Sequence, residues 1–210
     1  MSFYGTRTAT TSTAGGSATS SQNSYYNKMS STNVPSGPSD TITQLGWSSD
    51  GNFLTCTSWD GTMRLWHISQ GFGSQFQPTP KISIDAKSPL LSSTFGLASN
   101  HLFVGSCDKT AKLYDLNAST TNPQVVAQHE QPVCSVAWNP VQNVLVTASW
   151  DGFIKMWDGK QQHPLWQQSV GGKIFRMGIH SPFLCVCDNF RNVLVLDLST
   201  LFHHSSLQRK

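Results

Sequence analysis

The stretch SWDGFIKMWDG at residues 149–159 is one of three similar eleven-residue phrases in this chain. The other two are SWDGTMRLWHI at 58–68 and SCDKTAKLYDL at 106–116. The aromatic residue near the end of each phrase is Trp66, Tyr114 or Trp157. A fourth, degenerate copy, NVLVLDL, has Leu196 at the equivalent position. The steps between these positions are 48, 43 and 39 residues. Steps near about 40–45 residues, with Ser, Asp and Trp at fixed offsets, predict four-stranded propeller blades rather than helical repeats.

The third copy shows how one blade is expected to be built. VCSVAWNP at 133–140 predicts a strand with side chains alternating between two faces. The apolar run NVLVTAS at 143–149 predicts a strand buried on both faces, and Asp151-Gly152 is a favoured hairpin turn before FIKMW. Blades that pack face to face bury both surfaces, which blurs the apolar and polar alternation. The predicted fold class is therefore all-β, with no helix.

The length of the chain limits the number of blades. Residues 1–39 contain 17 Ser or Thr and only two charged residues, Arg7 and Lys28, so this segment is predicted to be a disordered tail. The remaining 171 residues, 40–210, have room for about four blades, with repeats ending near 68, 116, 159 and 198. Propellers contain about 4–8 blades, and LFHHSSLQRK at the end offers no closing strand, so a partial or truncated propeller is expected.

Composition narrows the classes of function. Only 12% of the residues are charged and the net charge is +3, which is not the profile of a dedicated nucleic-acid binder. The sequence predicts neither a secretory signal nor a membrane-spanning stretch. The odd number of cysteines without paired spacing predicts reduced thiols. Cys185 and Cys187 would need further ligands to hold zinc, so neither a metal nor another cofactor is predicted.

Four residues of the third copy, His129, Ser149, Asp151 and Trp157, have the types and order of a hydrogen-bonding set that resembles that of WD-repeat proteins. The resemblance implies that the His ring links the turn Asp to the strand Ser and, beyond it, to the indole N–H. A buried carboxylate and a buried indole each need such partners. The related positions in the first two copies are Ser58, Asp60, Trp66, Ser106 and Asp108.

The same residues admit a catalytic interpretation with Ser149 as nucleophile, beside His129 and Asp151. The Ser and Asp recur in the other copies without any His in register, and a repeated position is usually structural. No catalytic residue is therefore predicted.

Two sets of residues near the turns are candidates for binding. Trp59, Cys107 and Trp150 each precede the turn Asp, so they should cluster on one rim, where a large aromatic side chain can anchor a peptide. Packing between blades is an equal alternative. Lys109 and Lys112 are candidate phosphate contacts, against the simpler expectation that such basic residues cover neighbouring strands with their aliphatic stems.

A narrower resemblance rests on the order of three phrases: SCDKTAKLYDL at 106–116, AQHEQPVCSVAWNP at 127–140 and SWDGFIKMWD at 149–158. They resemble successive blades of the WD-repeat mRNA export factor family of the nuclear pore. The likeness extends to MSFYGT at the start and to PSDTITQLGWS at 38–48, and so covers essentially the whole chain. One departure is IDAKSPL at 84–90, which has no His where the second blade would offer one.

This resemblance implies a non-enzymatic adaptor, seven-bladed when complete, of which about four blades are present. It implies binding to a peptide segment of a phenylalanine-glycine nucleoporin and support of mRNA export. The implied location is the nucleus and nuclear pore complex, with some cytoplasm. Messenger RNA or ribonucleoprotein, and mitotic checkpoint or spindle proteins, are further partners that the family implies.

Three alternatives stay open. The first is a mitotic checkpoint propeller, which would share the fold but prefer kinetochore peptides. The second is an enzyme such as a propeller hydrolase, which would require convergent polar groups or metal ligands in a central channel. The third is a non-functional propeller fragment.

Overall fold

The computed structural model describes residues 31–71, 76–118, 122–159 and 161–199. Across these ranges all fifteen regular elements are β-strands, so the predicted fold class is confirmed. Residues 1–30 of the predicted tail lie outside the described residues, and their disorder stays a prediction.

The strands form four antiparallel sheets that follow one another along the chain, which we call blades 1 to 4. Blade 1 contains β1 (Ile42–Trp47), β2 (Phe53–Ser58), β3 (Thr62–Gln70) and β4 (Phe76–Asp85). Blade 2 contains β5 (Leu90–Phe95), β6 (His101–Ser106), β7 (Thr110–Asp115) and β8 (Gln124–Gln128). Blade 3 contains β9 (Val133–Asn139), β10 (Val144–Ser149), β11 (Phe153–Trp157) and β12 (Trp166–Ser169). Blade 4 has three strands, β13 (Ile174–His180), β14 (Phe183–Asp188) and β15 (Val193–Asp197).

The first strand of each blade lies closest to a common axis. Strands β1, β5, β9 and β13 contact one another in this order, and each is the end strand of its sheet. Arg176 on β13 donates from its guanidinium to the Thr43 carbonyl oxygen on β1 at 2.6 Å and to the Leu91 carbonyl oxygen on β5 at 3.4 Å. The sheets are therefore arranged as propeller blades.

Three apolar clusters fill the spaces between neighbouring blades. Between blades 3 and 4, for example, Val146 and Met156 pack with Leu184 and Val186, and none of the four is more than 2% exposed. Removing one such side chain from water stabilises the fold by roughly 1.5–3 kcal/mol. Blades 2 and 3 are covered on both sides in this way, so their inner strands read as apolar runs rather than as clean alternation.

The described part of the predicted tail, residues 31–39, contacts β3. The indole N–H of Trp66 donates to the Pro35 carbonyl oxygen, and the Arg64 guanidinium donates to the Ser36 carbonyl oxygen, both at 2.8 Å. Contacts with blade 1 therefore begin several residues before the predicted boundary at residue 39.

Candidate peptide-binding rim

Three equivalent turns lie between the second and third strands of blades 1 to 3, at residues 59–61, 107–109 and 150–152, and we call them the rim. In each turn the Asp side chain accepts a hydrogen bond from the first backbone N–H of the following strand. The pairs are Thr62 to Asp60 at 2.8 Å, Thr110 to Asp108 at 3.0 Å and Phe153 to Asp151 at 2.9 Å. The Asp residue thus fixes the start of the third strand.

The third residue of each turn has a backbone conformation that residues other than glycine rarely adopt. The φ angles are +79° at Gly61, +74° at Lys109 and +81° at Gly152. Glycine adopts such angles at little cost, which explains two of the three positions. Lys109 holds the same conformation with a side chain, and that side chain is exposed.

The Ser that precedes each turn bonds to the loop that leads into its own blade. The Ser58, Ser106 and Ser149 hydroxyls donate to the carbonyl oxygens of Asp40, Pro89 and Gln131 at 3.2, 3.3 and 3.0 Å. Each hydroxyl also accepts from the backbone N–H of the turn Asp, at 3.1–3.2 Å. These hydroxyls are buried and fully engaged in holding the turn.

Blade 3 contains the predicted network, with one correction. His129 Nδ1 donates to Asp151 Oδ2 at 2.9 Å, and the Trp157 indole N–H donates to Thr147 Oγ1 at 2.9 Å. His129 Nε2 lies 2.8 Å from Thr147 Oγ1, so Thr147, and not Ser149, joins the ring to the indole. The predicted link through Ser149 is wrong because Ser149 stands two residues nearer the turn, beyond a register shift at Ala148/Ser149.

The donors and acceptors of this network match one another completely with a neutral imidazole. The Thr147 hydroxyl accepts from the indole and donates to His129 Nε2, while the proton on Nδ1 bonds to the carboxylate. Thr147 and the His129 ring are inaccessible to water. The arrangement therefore satisfies three buried polar side chains that would otherwise destabilise the blade.

The hydrogen bonds set the charge state of Asp151. Burial by itself raises the pKa of this carboxyl group, but bonds from His129 and from the backbone N–H groups of Phe153 and Glu130 outweigh burial. The net effect lowers the pKa of Asp151 from 3.8 to about 2. The carboxylate is consequently ionised throughout the physiological range.

In blades 1 and 2 the carboxylate of the equivalent turn Asp has other partners. In blade 1 the backbone N–H and hydroxyl of Ser39 donate to Asp60 Oδ2 at 2.8 and 3.1 Å. In blade 2 the Lys112 ammonium forms an ion pair with Asp108, and only 17% of the Lys112 side chain is exposed. A phosphate contact by Lys112 would have to compete with this ion pair, whereas the Lys109 side chain is exposed, and both contacts stay predictions.

Sequence reasoning missed Thr147 and Ser39 as members of these networks. Thr147 was detectable, because it is the polar residue in the middle of the apolar run at 143–149. Ser39 was not, because it was assigned to the tail.

The three rim candidates differ in exposure. Trp59 is 43% exposed, whereas Cys107 and Trp150 are half-buried against the cluster that fills the space between blades 3 and 4. The Lys173 ammonium lies 3.7 Å from the centroid of the Trp150 ring and covers it. Burial raises the pKa of the Cys107 thiol, with a further contribution from the Asp108 carboxylate. Trp59 thus offers the most open aromatic surface of the three.

Among the described residues, no group of three or more His, Cys, Asp or Glu side chains is placed to hold a metal ion. Within the same residues, no helix is long and apolar enough to cross a membrane.

Comparison with known proteins agrees with the blade architecture. The repeat described as "WD domain, G-beta repeat" matches residues 29–67 and 121–158. The computationally designed Ika4 protein superimposes with a TM-score of 0.63, covering 81% of this chain and 99% of that one. At 20% identity this likeness concerns the fold alone.

Three sequence relatives have names that refer to RAE1 or to RNA export. Protein RAE1 of Arabidopsis thaliana is 37% identical over 86% of this chain and 51% of its own. The poly(A)+ RNA export protein of Schizosaccharomyces pombe is 30% identical over 95% and 53%, respectively. The mRNA export factor of Danio rerio is 33% identical over 68% and 38%. The chain thus spans about half the length of the curated relatives it matches.

Four antiparallel blades around one axis, together with the matched repeats, define this chain as a WD-repeat propeller protein. Within that class its relatives share long stretches of sequence with it. Those relatives include proteins named for RAE1 or for RNA export, to which this chain is 30–37% identical over 38–53% of their own length.

Proposed function

We propose that this chain is a non-enzymatic WD-repeat adaptor that supports mRNA export by binding a nucleoporin peptide segment at its rim. The observation that carries the proposal is the agreement of relatives from a fungus, a plant and a fish, whose names refer to RAE1 or to RNA export. The proposed location is the nucleus and the nuclear pore complex, with some cytoplasm.

The rim supplies a suitable anchor for a peptide. The Trp59 backbone N–H donates to the Thr41 carbonyl oxygen at 3.1 Å, and the adjoining Asp60 is held by four hydrogen bonds to its carboxylate. The indole is therefore presented on a fixed backbone while 43% of the residue stays open to solvent. Pre-ordered aromatic side chains are common binding hot spots, because little freedom is lost when a partner covers them.

The geometry around Ser149 supports a role without catalysis. A nucleophilic Ser requires a hydrogen bond to its general base. In this chain the Ser149 hydroxyl donates to the Gln131 carbonyl oxygen, and the His129 ring bonds to Thr147 and Asp151 instead. His129 is thus committed to the fold of blade 3.

The test is a binding measurement with a synthetic nucleoporin segment and two variants. Trp59→Ala should weaken binding about tenfold or more, the loss expected for an aromatic hot spot. Phe76→Ala removes an aromatic side chain of similar exposure (49%) from the outer strand of the same blade and should bind like the parent.

Parallel measurements separate the alternatives. Equal affinities of the parent and Trp59→Ala would contradict binding at the rim. Binding to a kinetochore peptide but not to the nucleoporin segment would favour the checkpoint scaffold. A short RNA tested with Lys109→Ala would show whether ribonucleoprotein contacts are direct.

A further inference from the structure

A groove of about 670 Å³ separates the outer strand of blade 2 from blade 3. One wall is β8, and all five residues of that strand, Gln124–Gln128, line the groove. Successive side chains of a strand point to opposite faces of the sheet, so a groove that meets all five residues follows the edge of β8 rather than one face. The other wall is formed by Gln161, Gln162 and His163, which follow the third strand of blade 3.

The groove belongs to two blades that both have a neighbour on each side. One apolar cluster joins blades 1 and 2, a second joins blades 2 and 3, and a third joins blades 3 and 4. Any further blade of the same ring would pack beside blade 1 or blade 4. The groove would then stay open on the perimeter of the ring, whatever the length of the complete protein.

The outer edge of β8 keeps backbone hydrogen-bonding groups open. β8 is the end strand of its sheet and pairs with β7 on its inner edge. At one end the Lys155 ammonium of blade 3 donates to the Gln128 carbonyl oxygen at 3.0 Å. Within the part of the chain that the structure describes, the backbone of residues 124–127 makes no hydrogen bond outside the pairing with β7. Because an edge strand directs alternate N–H and C=O groups outwards, these groups can pair with another strand.

The other outer strands carry features that protect a sheet edge, and β8 does not. Short length, charged side chains and Pro residues are the usual protection, because each hinders pairing with another strand. Strand β4 of blade 1 contains Pro78, Pro80 and Lys81, and β12 of blade 3 has only four residues. Strand β8, with the sequence QVVAQ, contains neither Pro nor a charged residue. Among the outer strands of blades 1 to 3, β8 therefore accepts another strand most readily.

The groove has room for a single strand. A strand of five residues is about 16 Å long, and at a strand spacing near 4.8 Å and a sheet spacing near 10 Å it takes up on the order of 770 Å³. This is close to the volume of the groove, about 670 Å³. The wall at 161–163 closes the side opposite β8. A lone strand therefore fits, whereas another whole blade, with further strands behind its edge, would collide with that wall.

The lining of the groove is polar but uncharged. None of the described residues that line it carries a carboxylate, an ammonium or a guanidinium group. The side chains of Gln161 and Gln162 are exposed and offer amide donors and acceptors. Val125 on β8 is 54% exposed and offers an apolar surface. A charged side chain would find no partner in this lining, so an uncharged segment fits it best.

We propose that this groove binds an extended, uncharged segment of a partner protein, which pairs with β8 as a fifth strand of blade 2. Main-chain hydrogen bonds to β8 supply the affinity, and alternate side chains of the segment supply the specificity. One apolar side chain of the segment covers Val125. Polar side chains of the Ser, Thr or Gln type bond to the amide groups of Gln161 and Gln162.

This site is separate from the rim. The rim lies at the turns between the second and third strands, whereas the groove follows the outer edge of a fourth strand. Binding in the groove does not depend on the proposed nucleoporin contact. Trp59→Ala should therefore leave it unchanged, and a failure of one proposal does not imply a failure of the other.

The test is amide hydrogen exchange of the full 210-residue chain, followed by mass spectrometry, with the synthetic peptide acetyl-Ser-Thr-Val-Thr-Ser-amide at millimolar concentration. We expect exchange across residues 124–128 to slow at least tenfold at saturation, because strand pairing engages the open backbone groups. Exchange across β4 at residues 76–85 should not change. The same peptide with a methylated backbone nitrogen at Val keeps its side chains but loses a main-chain donor, and it should bind at least tenfold more weakly.

Two variants of the chain complete the test. Val125→Lys places a charge on the exposed edge of β8 and should raise the dissociation constant of the peptide at least tenfold. Val141→Lys is the matched control, since Val141 is 71% exposed in the turn between β9 and β10 and does not line the groove. It should bind the peptide like the parent.

Four results would overturn the proposal. The first is the absence of peptide binding, and the second is binding that leaves exchange in β8 unchanged. The third is equal affinity of the methylated and unmethylated peptides. The fourth is protection of β8 that rises with protein concentration in the absence of peptide, because β8 would then pair with a second copy of the chain instead.

Discussion

Thr147 joins two buried polar side chains of blade 3, the His129 ring and the Trp157 indole. Its hydroxyl lies within 2.8–2.9 Å of both the His129 ring and the Trp157 indole. The equivalent positions, two residues before the turn Ser, are Cys56 and Val104, which cannot make both of these bonds. The complete network is therefore specific to blade 3 among the first three blades.

Thr147→Val tests this role while nearly preserving the volume of the side chain. The change leaves the indole N–H and His129 Nε2 without a partner in a buried site, and each unsatisfied group costs about 1–3 kcal/mol. We expect the free energy of unfolding in urea to fall by about that amount or more. A Thr147→Val chain that is as stable as the parent would contradict this role of the Thr147 hydroxyl.

Asp151 makes the stability of blade 3 dependent on pH. Its pKa is about 2 in the folded chain and near its ordinary value of 3.8 after unfolding. Because the folded pKa is the lower one, the stabilisation is present above about pH 4 and is lost as the pH falls towards 2. The difference corresponds to about 2 kcal/mol. Unfolding measured at pH 6 and pH 2.5 should show a smaller pH effect in Asp151→Asn than in the parent, and identical effects would contradict this role.

The rim residues show which side-chain contacts the sequence can predict and which it cannot. The sequence could predict that His129, Asp151 and Trp157 belong to one hydrogen-bonding set, because the phrase repeats and resembles the WD-repeat pattern. Thr147 was detectable as a polar residue in an apolar run, but the choice between Thr147 and Ser149 as the link depends on the register shift at Ala148/Ser149, which the sequence does not show. Nor does sequence spacing reveal that Lys173 covers the Trp150 ring.

At the scale of elements, the turn at 150–152 depends on glycine for two reasons. Gly152 has a φ of +81°, and a Cβ atom there would stand 2.9 Å from the Gly172 carbonyl oxygen. Gly152→Ala should therefore lower the free energy of unfolding by more than the about 1–2 kcal/mol that the left-handed backbone alone costs. Gly171 has a similar φ of +79° with open space around it, so Gly171→Ala is the matched control. If Gly152→Ala and Gly171→Ala lower the stability equally, small shifts of the backbone readily relieve the contact with Gly172.

Strand prediction succeeded where apolar character is strong. The expected strands at 133–140 and 143–149 agree with β9 and β10 to within one residue. The outer strand β12, WQQS, was not assigned, because a strand at the edge of a blade meets little of the core and carries mostly polar side chains. Strand β12 therefore depends on its pairing with β11 rather than on its own pattern.

At the scale of the whole molecule, the thiols report whether the blades stay together. Cys134 Sγ lies 3.3 Å from the carbonyl oxygen of Ala148 in its own blade and 3.1 Å from that of Ile174 in blade 4, and its single S–H proton can bond to either. Burial raises the pKa of Cys134 to about 12. The thiolate is the reactive form, so alkylation of the native chain should modify the exposed Cys185 far faster than Cys134. Comparable rates by mass spectrometry would mean that blades 3 and 4 separate readily.

The contacts of residues 35–39 also determine where a protease can shorten this chain without harm. A cut before residue 31 leaves the bonds to Trp66, Arg64 and Asp60 in place. A cut after Asp40 removes the partners of all three at once, including the acceptor of a largely buried indole N–H. The smallest resistant fragment after limited digestion should therefore begin ahead of Pro35, and the phrase SWDG of blade 1 is stable only together with the short segment that precedes it.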